Sequence, residues 1–170
     1  MIGTKIQNAM SDQIVAELYS SYLYLSMAAY FEEADLPGFA NWMKVQAQEE
    51  TTHAMKFFDF VHERGGEVNL GMIDAPPKNW DSPLAAFKAA YDHECKVSGL
   101  IADLVHLARA EKDIAAEIFL QWFVTEQVEE EASAESIVRQ LTMIGDAKHG
   151  LFMIDRELGQ RVFTPPPANE

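Results

Sequence analysis

Gln48-Glu49-Glu50-Thr51-Thr52-His53 lies in the middle of a long segment whose apolar residues recur with the period of an α-helix. Glu50 and His53 are three residues apart, so a helix places a carboxylate and an imidazole on one face, where both can bind one metal ion. A glutamate in an apolar face is costly to bury as an ion, so it is expected to bind a cation or a proton. Because E-x-x-H also arises by chance, a partly exposed helix edge remains the alternative. The rest of that face is apolar: Phe39, Met43, Ala47, Ala54, Phe57 and Val61.

The composition predicts an acidic, cytoplasmic protein. The chain has 170 residues, of which 48% are hydrophobic, yet no apolar run approaches the ~20 residues of a membrane span. The net charge of −14 argues against nucleic acid or anionic lipid as the main partner. A single cysteine, Cys95, excludes an internal disulfide framework, and the first residues lack the features of a signal peptide. Cys95 itself is predicted to be a buried, inert thiol.

Periodicity, together with the positions of proline and glycine, predicts five helices, at residues 4–34, 37–64, 81–110, 114–144 and 147–158. Residues 1–163 are interpreted as one domain, and 164–170 as a tail that its prolines keep from being helical. The loop at 66–80 could span about 50 Å when extended, enough to run the length of the bundle. We therefore expect an all-α four-helix bundle with one long crossover loop and a short fifth helix. A short excursion between antiparallel helices is the alternative.

Each of the four long helices carries polar residues near its middle on an otherwise apolar face. Mid-helix positions meet at one height in a bundle, and four carboxylates at one height cannot all ionise without cations between them. Two divalent ions would neutralise them, and a carboxylate-rich set with one imidazole suits iron or manganese. The predicted centre consists of Glu17, Glu50, His53, Glu94, Gln127 and Glu130.

The centre is asymmetric, because the second helix has a complete E-x-x-H while the fourth has Gln127 and Glu130 at the corresponding positions. A di-iron carboxylate bundle with two such motifs holds both ions as a cofactor. A centre with an amide in place of one carboxylate should hold its second ion less tightly and could release an oxidised product.

From Met1 to about Phe163 the chain resembles the ferritin family, in particular the haem-free bacterial ferritins. The matching stretches are Glu17 with Tyr24, residues 36–42, residues 48–53, Glu94, and Trp122 through Glu130. The resemblance implies iron storage in a shell of 24 subunits with octahedral symmetry. It also implies a ferroxidase that oxidises Fe(II) with dioxygen and deposits a ferric mineral, without haem.

The resemblance also implies the role of each site residue. Glu17, Glu50 and His53 would bind the first iron of each subunit, and Glu50, Glu94 and Glu130 the second, with Gln127 beside them. Tyr24 would be a hydrogen-bonding and electron-donating phenol. A third, weaker iron site would use Glu49, Glu126, Glu129 and Glu130.

Several alternatives stay open from the residues alone. The acidic residues of the third site could be a solvated surface, and Tyr24 could be a core tyrosine whose hydroxyl has a partner. A di-iron oxidoreductase that retains its irons is the second functional reading, and a structural bundle is the third. Haem-binding bacterioferritins are disfavoured for two reasons. They carry a second E-x-x-H where this chain has Gln127 and Glu130, and a haem-binding methionine where it has Thr51.

Overall fold

The computed structural model describes residues 1–165, and residues 166–170 of the predicted tail lie outside this described part. Five helices follow one another: α1 (Thr4–Glu33), α2 (Pro37–Glu63), α3 (Pro83–Ala110), α4 (Ile114–Ile144) and α5 (Lys148–Leu158). The predicted fold class, an all-α bundle with a short fifth helix, is confirmed. Among the described residues there is no helix with the length and hydropathy that crossing a bilayer requires.

The loop between α2 and α3 runs along α1. Three hydrogen bonds join it to α1: Glu67 N donates to Gln7 Oε1 (3.1 Å), Asn69 N donates to Ser11 Oγ (3.3 Å), and Ser26 Oγ donates to Pro77 O (2.5 Å). The loop therefore leaves α2 near the start of α1 and reaches α3 near the end of α1. Because α2 ends where α3 also ends, the two helices are parallel and the loop is a crossover.

A pair of charged side chains joins the helix ends at one side of the bundle. Arg64 Nη1 and Nη2 donate to the Asp113 carboxylate, at 3.1 and 3.0 Å, and the same carboxylate accepts the Ala116 N–H at 3.0 Å. Asp113 is therefore the N-cap of α4 and the ion-pair partner of the residue that ends α2. Arg64 holds the pKa of Asp113 below its usual range.

The apolar core consists of two clusters, one at each end of the bundle. On α1, one cluster extends from Ile6 to Ile14 and the other from Leu23 to Phe31, and the buried Glu17 lies between them. The same order holds on the other three long helices, where the residues between the clusters are Glu50, His53, Glu94, Gln127 and Glu130. The polar residues thus form one layer across the middle of the bundle.

The prediction that Cys95 is a buried thiol is wrong, because its side chain is exposed. Glu94 faces the interior, and the next residue of a helix is rotated by about 100°. Cys95 therefore points away from the buried layer.

The short helix α5 is attached to the start of α2. Leu36, the N-cap of α2, provides no side-chain acceptor, and Asp155 of α5 supplies it instead. Its Oδ1 accepts the N–H groups of Gly38 (2.8 Å) and Phe39 (3.1 Å). A Cβ at Gly38 would lie 1.6 Å from the Asp155 carbonyl oxygen, so only glycine permits this close approach.

We expect Asp155→Ala to lower the free energy of unfolding by about 1–2 kcal/mol, because two N–H groups of α2 lose their acceptor. Equilibrium denaturation of the iron-free protein measures the effect. Glu157→Ala, at an exposed position of the same helix, is the matched control and should change stability little. Equal losses in both variants would contradict the capping role.

Candidate metal centre

The E-x-x-H motif of α2 is buried beside α1. Glu50 and His53 are 2% and 3% exposed, and Glu50 Oε2 lies 3.4 Å from His53 Nδ1. One possible ligand atom from each of Glu17, Glu50 and His53 lies within 4.8 Å of the other two. The His53 ring packs edge-on against Trp122, with the ring centroids 5.4 Å apart. Two glutamates and one imidazole are thus held close enough to share one ion.

Glu17 shows most directly that the layer suits a cation. Its Oε1 accepts a hydrogen bond from Gln13 Nε2 at 2.8 Å, but its Oε2 is buried and accepts no hydrogen bond from an N–H or hydroxyl group, and the Glu17 and Glu50 carboxyls can pair only by sharing a proton. Buried carboxylate oxygens are rarely left unpaired, because the loss of hydration is then uncompensated. A metal ion coordinated by Glu17, Glu50 and His53 would supply the missing partner.

The other half of the layer is formed by α3 and α4. The Tyr24 hydroxyl donates a hydrogen bond to Glu94 Oε1, and Gln127 Nε2 donates to Glu94 Oε2 at 3.2 Å. Burial, followed by the nearby Glu94 carboxylate, raises the pKa of Tyr24 well above its usual value, so the phenol stays protonated as a donor. Glu94 is therefore oriented from two sides by neutral donors.

Glu130 completes the layer from α4. Its Oε2 accepts a hydrogen bond from Gln46 Nε2 at 2.6 Å. Ligand atoms of His53, Glu126 and Glu130 also lie within 4.8 Å of one another, which makes a second possible metal group with His53 in common with the first.

The electrostatics of the layer favour protons or cations. Burial raises the pKa of Glu17 and Glu50 well above the usual carboxyl range and raises that of Glu94 as well. For Glu50 the charges of Glu94 and Glu130 add to the effect of burial. Burial and the charge of Glu94 raise the pKa of Glu130 to about 8. Burial in this layer therefore favours the binding of protons or cations by these acids.

The residues predicted for a third site are in different surroundings. Glu126 is half-buried and belongs to the group with His53 and Glu130. Glu129 is exposed, and Glu49 forms an ion pair with Arg161. Within residues 1–165, neither Glu49 nor Glu129 belongs to a close group of three metal-binding side chains. Their role as ligands stays a prediction.

Sequence reasoning missed Gln13 and Gln46, two buried glutamines that orient the carboxylates. Gln13 donates to Glu17, and Gln46 donates to Glu130 and, at 3.4 Å, to Glu50. Each glutamine precedes a site glutamate by four residues and so lies on the same helix face. This repeated Gln-x-x-x-Glu spacing was the signal that could have revealed them.

A four-helix bundle with a crossover loop and a buried layer of carboxylates belongs to the class of carboxylate-rich metal proteins. A family model described as Ferritin-like domain matches residues 7–144. A bacterial non-heme ferritin of Bacteroides fragilis is 50% identical over 161 residues, which cover 95% of this chain and 100% of the relative. A bacterial non-heme ferritin of Staphylococcus aureus is 36% identical, covering 96% of this chain and 98% of the relative.

Solved structures agree with these relatives. An open pore ferritin from the archaeon Archaeoglobus fulgidus is 56% identical, with a TM-score of 0.95, covering 95% of this chain and 100% of that one. A closed form of the ferritin from the same organism, made by mutagenesis, has a TM-score of 0.96 at 55% identity, covering 96% of this chain and 100% of that one. The chain belongs to the ferritin family, as the sequence motifs predicted, and this membership supports a function in iron storage.

Proposed function

We propose that this protein stores and detoxifies iron by oxidising Fe(II) with dioxygen at the buried layer and depositing the ferric product inside a shell of 24 identical subunits in the cytoplasm. The observation that carries the proposal is the meeting of Glu17, Glu50, Glu94, Glu130 and His53 at one height in an apolar bundle. The unpaired Oε2 of Glu17 marks this layer as a place for cations.

Two Fe(II) ions match the layer in charge, because four carboxylates carry four negative charges when both ions are bound. Glu17, Glu50 and His53 would bind the first ion, while Glu50, Glu94 and Glu130 would bind the second. Glu50 lies close to acids of both halves, since Glu17, Glu94 and Glu130 all interact with it electrostatically. It is therefore suited to bridge the two ions.

The surrounding residues position the ligands and keep the layer dry. Apolar clusters close it at both ends, so charges in it are screened little by water. Tyr24 and Gln127 hold Glu94 by hydrogen bonds, and Gln127 itself adds no negative charge. Each of the two Fe(II) ions supplies one electron, and together with two protons these electrons would reduce one dioxygen to hydrogen peroxide. An oxidised ion that leaves past His53 would reach Glu49 and Glu126, which border the cavity beside it.

Sedimentation velocity after aerobic loading with Fe(II) tests this proposal, with protein and ferric absorbance recorded together. We expect particles of about 24 chains with closed symmetry that carry far more iron than three ions per chain. A small oligomer that keeps two irons per chain would instead indicate a di-iron oxidoreductase. Protein that sediments without iron would leave a purely structural bundle.

A further inference from the structure

Arg161, three residues after α5, places its side chain on α2 beside the buried layer. Its Nη1 donates to Gln46 Oε1 at 2.7 Å, and its Nη2 donates to Glu49 Oε2 at 2.5 Å. The guanidinium carbon lies 4.5 Å from the centre of the Trp42 ring, and the Asn41 side chain donates to the Arg161 carbonyl at 2.9 Å. These contacts fix the arginine from several directions, and its side chain is 23% exposed.

A cavity of about 270 Å³ lies next to Glu49. It opens beside His53 of the buried layer and is bordered by Trp122 and Glu126. The segment that follows Arg161 also borders it, through Thr164 and Pro165. An ion that leaves the layer beside His53 would enter this cavity, where Glu49 is the carboxylate already paired with a cation.

Arg161 also determines how Gln46 faces the layer. A guanidinium can only donate hydrogen bonds, so the Gln46 carbonyl oxygen must face Arg161. The amide NH₂ of Gln46, which is fully buried, is therefore directed at the carboxylates of Glu130 and Glu50. Gln46 thus connects Arg161 to two of the predicted iron ligands.

We propose that Arg161 is a positioning residue, a tethered cation that keeps Glu49 at the rim of the cavity and directs the Gln46 amide toward Glu50 and Glu130. This inference rests on the proposed function, because it assigns a step to the ferric ion that leaves the layer. Because the guanidinium engages Oε2 of Glu49, an ion must displace it to bind this carboxylate through both oxygens, and an ion that binds Oε1 alone is repelled by the neighbouring positive charge. Arg161 thereby weakens ion retention beside the layer and favours onward transfer.

The test uses the full-length, iron-free protein titrated with Tb³⁺, a trivalent ion that needs no redox chemistry. Excitation of indole sensitises Tb³⁺ luminescence at short range. Trp122 borders the cavity and also packs against His53, so it reports ions in both places, and the Glu49→Gln variant separates the two. Arg161→Ala is expected to tighten Tb³⁺ binding about tenfold, because the ion no longer competes with a charge-assisted pair. Arg161→Lys keeps the charge without the two-pronged geometry and should restore part of the competition.

Two further variants make the result specific. Glu49→Gln should remove most of the gain, because the pair between Arg161 and Glu49 is then absent, and only the smaller effect that passes through Gln46 should remain in the double variant. Arg156→Ala removes an arginine of α5 that borders a groove between α4 and α5, and it should leave Tb³⁺ affinity unchanged. Sedimentation of each variant establishes that the assembly matches that of the wild type.

The inference is overturned if Arg161→Ala leaves Tb³⁺ affinity unchanged or lowers it, or if the full gain persists in Glu49→Gln. An equal gain in Arg156→Ala would also overturn it, since the effect would then be general electrostatics. Fe(II) oxidation by the wild-type protein is measured separately. The proposed function can therefore stand while this role of Arg161 fails.

Discussion

Glu50→Ala and His53→Ala are each expected to slow the first phase of Fe(II) oxidation by roughly 100-fold or more. Glu50 is the carboxylate common to both halves of the layer, and His53 is its sole imidazole among the residues predicted as ligands. Loss of either ligand leaves one ion with too few donors and no fixed position relative to the other. Stopped-flow ferric absorbance at two Fe(II) per chain measures the initial rate.

His62→Ala and Glu63→Ala are the matched controls, because they remove the same two side-chain types from the exposed end of α2. Both should oxidise Fe(II) at the wild-type rate. All four variants should assemble like the wild type, which sedimentation records before iron is added. Wild-type rates in Glu50→Ala or His53→Ala would show that the chemistry takes place elsewhere.

The iron-free protein is expected to lose stability as the pH rises from about 5 to about 8. Burial raises the pKa of Glu130 from its ordinary 4.5 to about 8, and it raises the pKa of Glu17, Glu50 and Glu94 as well. These acids therefore hold more protons in the folded state than in the unfolded state, and the free energy of unfolding falls with pH. His93, whose pKa burial lowers to about 4, opposes this by one proton at most, and only in the lower part of the range. Glu130 alone would contribute a loss on the order of 4 kcal/mol over three pH units.

Urea denaturation at a series of pH values measures this slope. Glu130→Gln should make the fall of stability with pH less steep, because one of the four buried acids no longer titrates. The neutral amide can still accept the Gln46 hydrogen bond. Glu129→Gln changes the exposed neighbour and should retain the wild-type slope.

Saturation with Zn²⁺, a divalent ion without redox chemistry, should reduce the slope of the wild type, since bound cations replace the protons. An iron-free protein whose stability is constant or rises between pH 5 and pH 8 would contradict the assignment of protonated, buried acids.

Local pattern was enough to predict the helices and the residues that meet in the buried layer. A helix period of 3.6 residues decides which side chains share a face, and mid-helix positions of four similar helices have to meet at one height. The sequence therefore predicts that Glu17, Glu50, Glu94 and Glu130 lie together. The helix ends differ from the predicted ones by at most two residues, at the caps.

The sequence pattern does not predict contacts between segments that are distant along the chain. The capping of α2 by Asp155, and the pairing of Arg161 with Glu49, depend on where α5 crosses α2. That crossing follows from the close approach at Gly38 and from the packing of whole helices, which no spacing along the chain records.

The same limit applies to the surroundings of the acidic residues on α2 and α4. Glu126 and Glu129 look equivalent in sequence, yet one faces His53 and the other solvent. Periodicity and the positions of proline and glycine determined the helices and the carboxylate layer of this protein. Only the tertiary structure decided that Glu49 pairs with Arg161. A hydrogen bond depends on distances of a few ångströms, and these are set by packing across the whole chain.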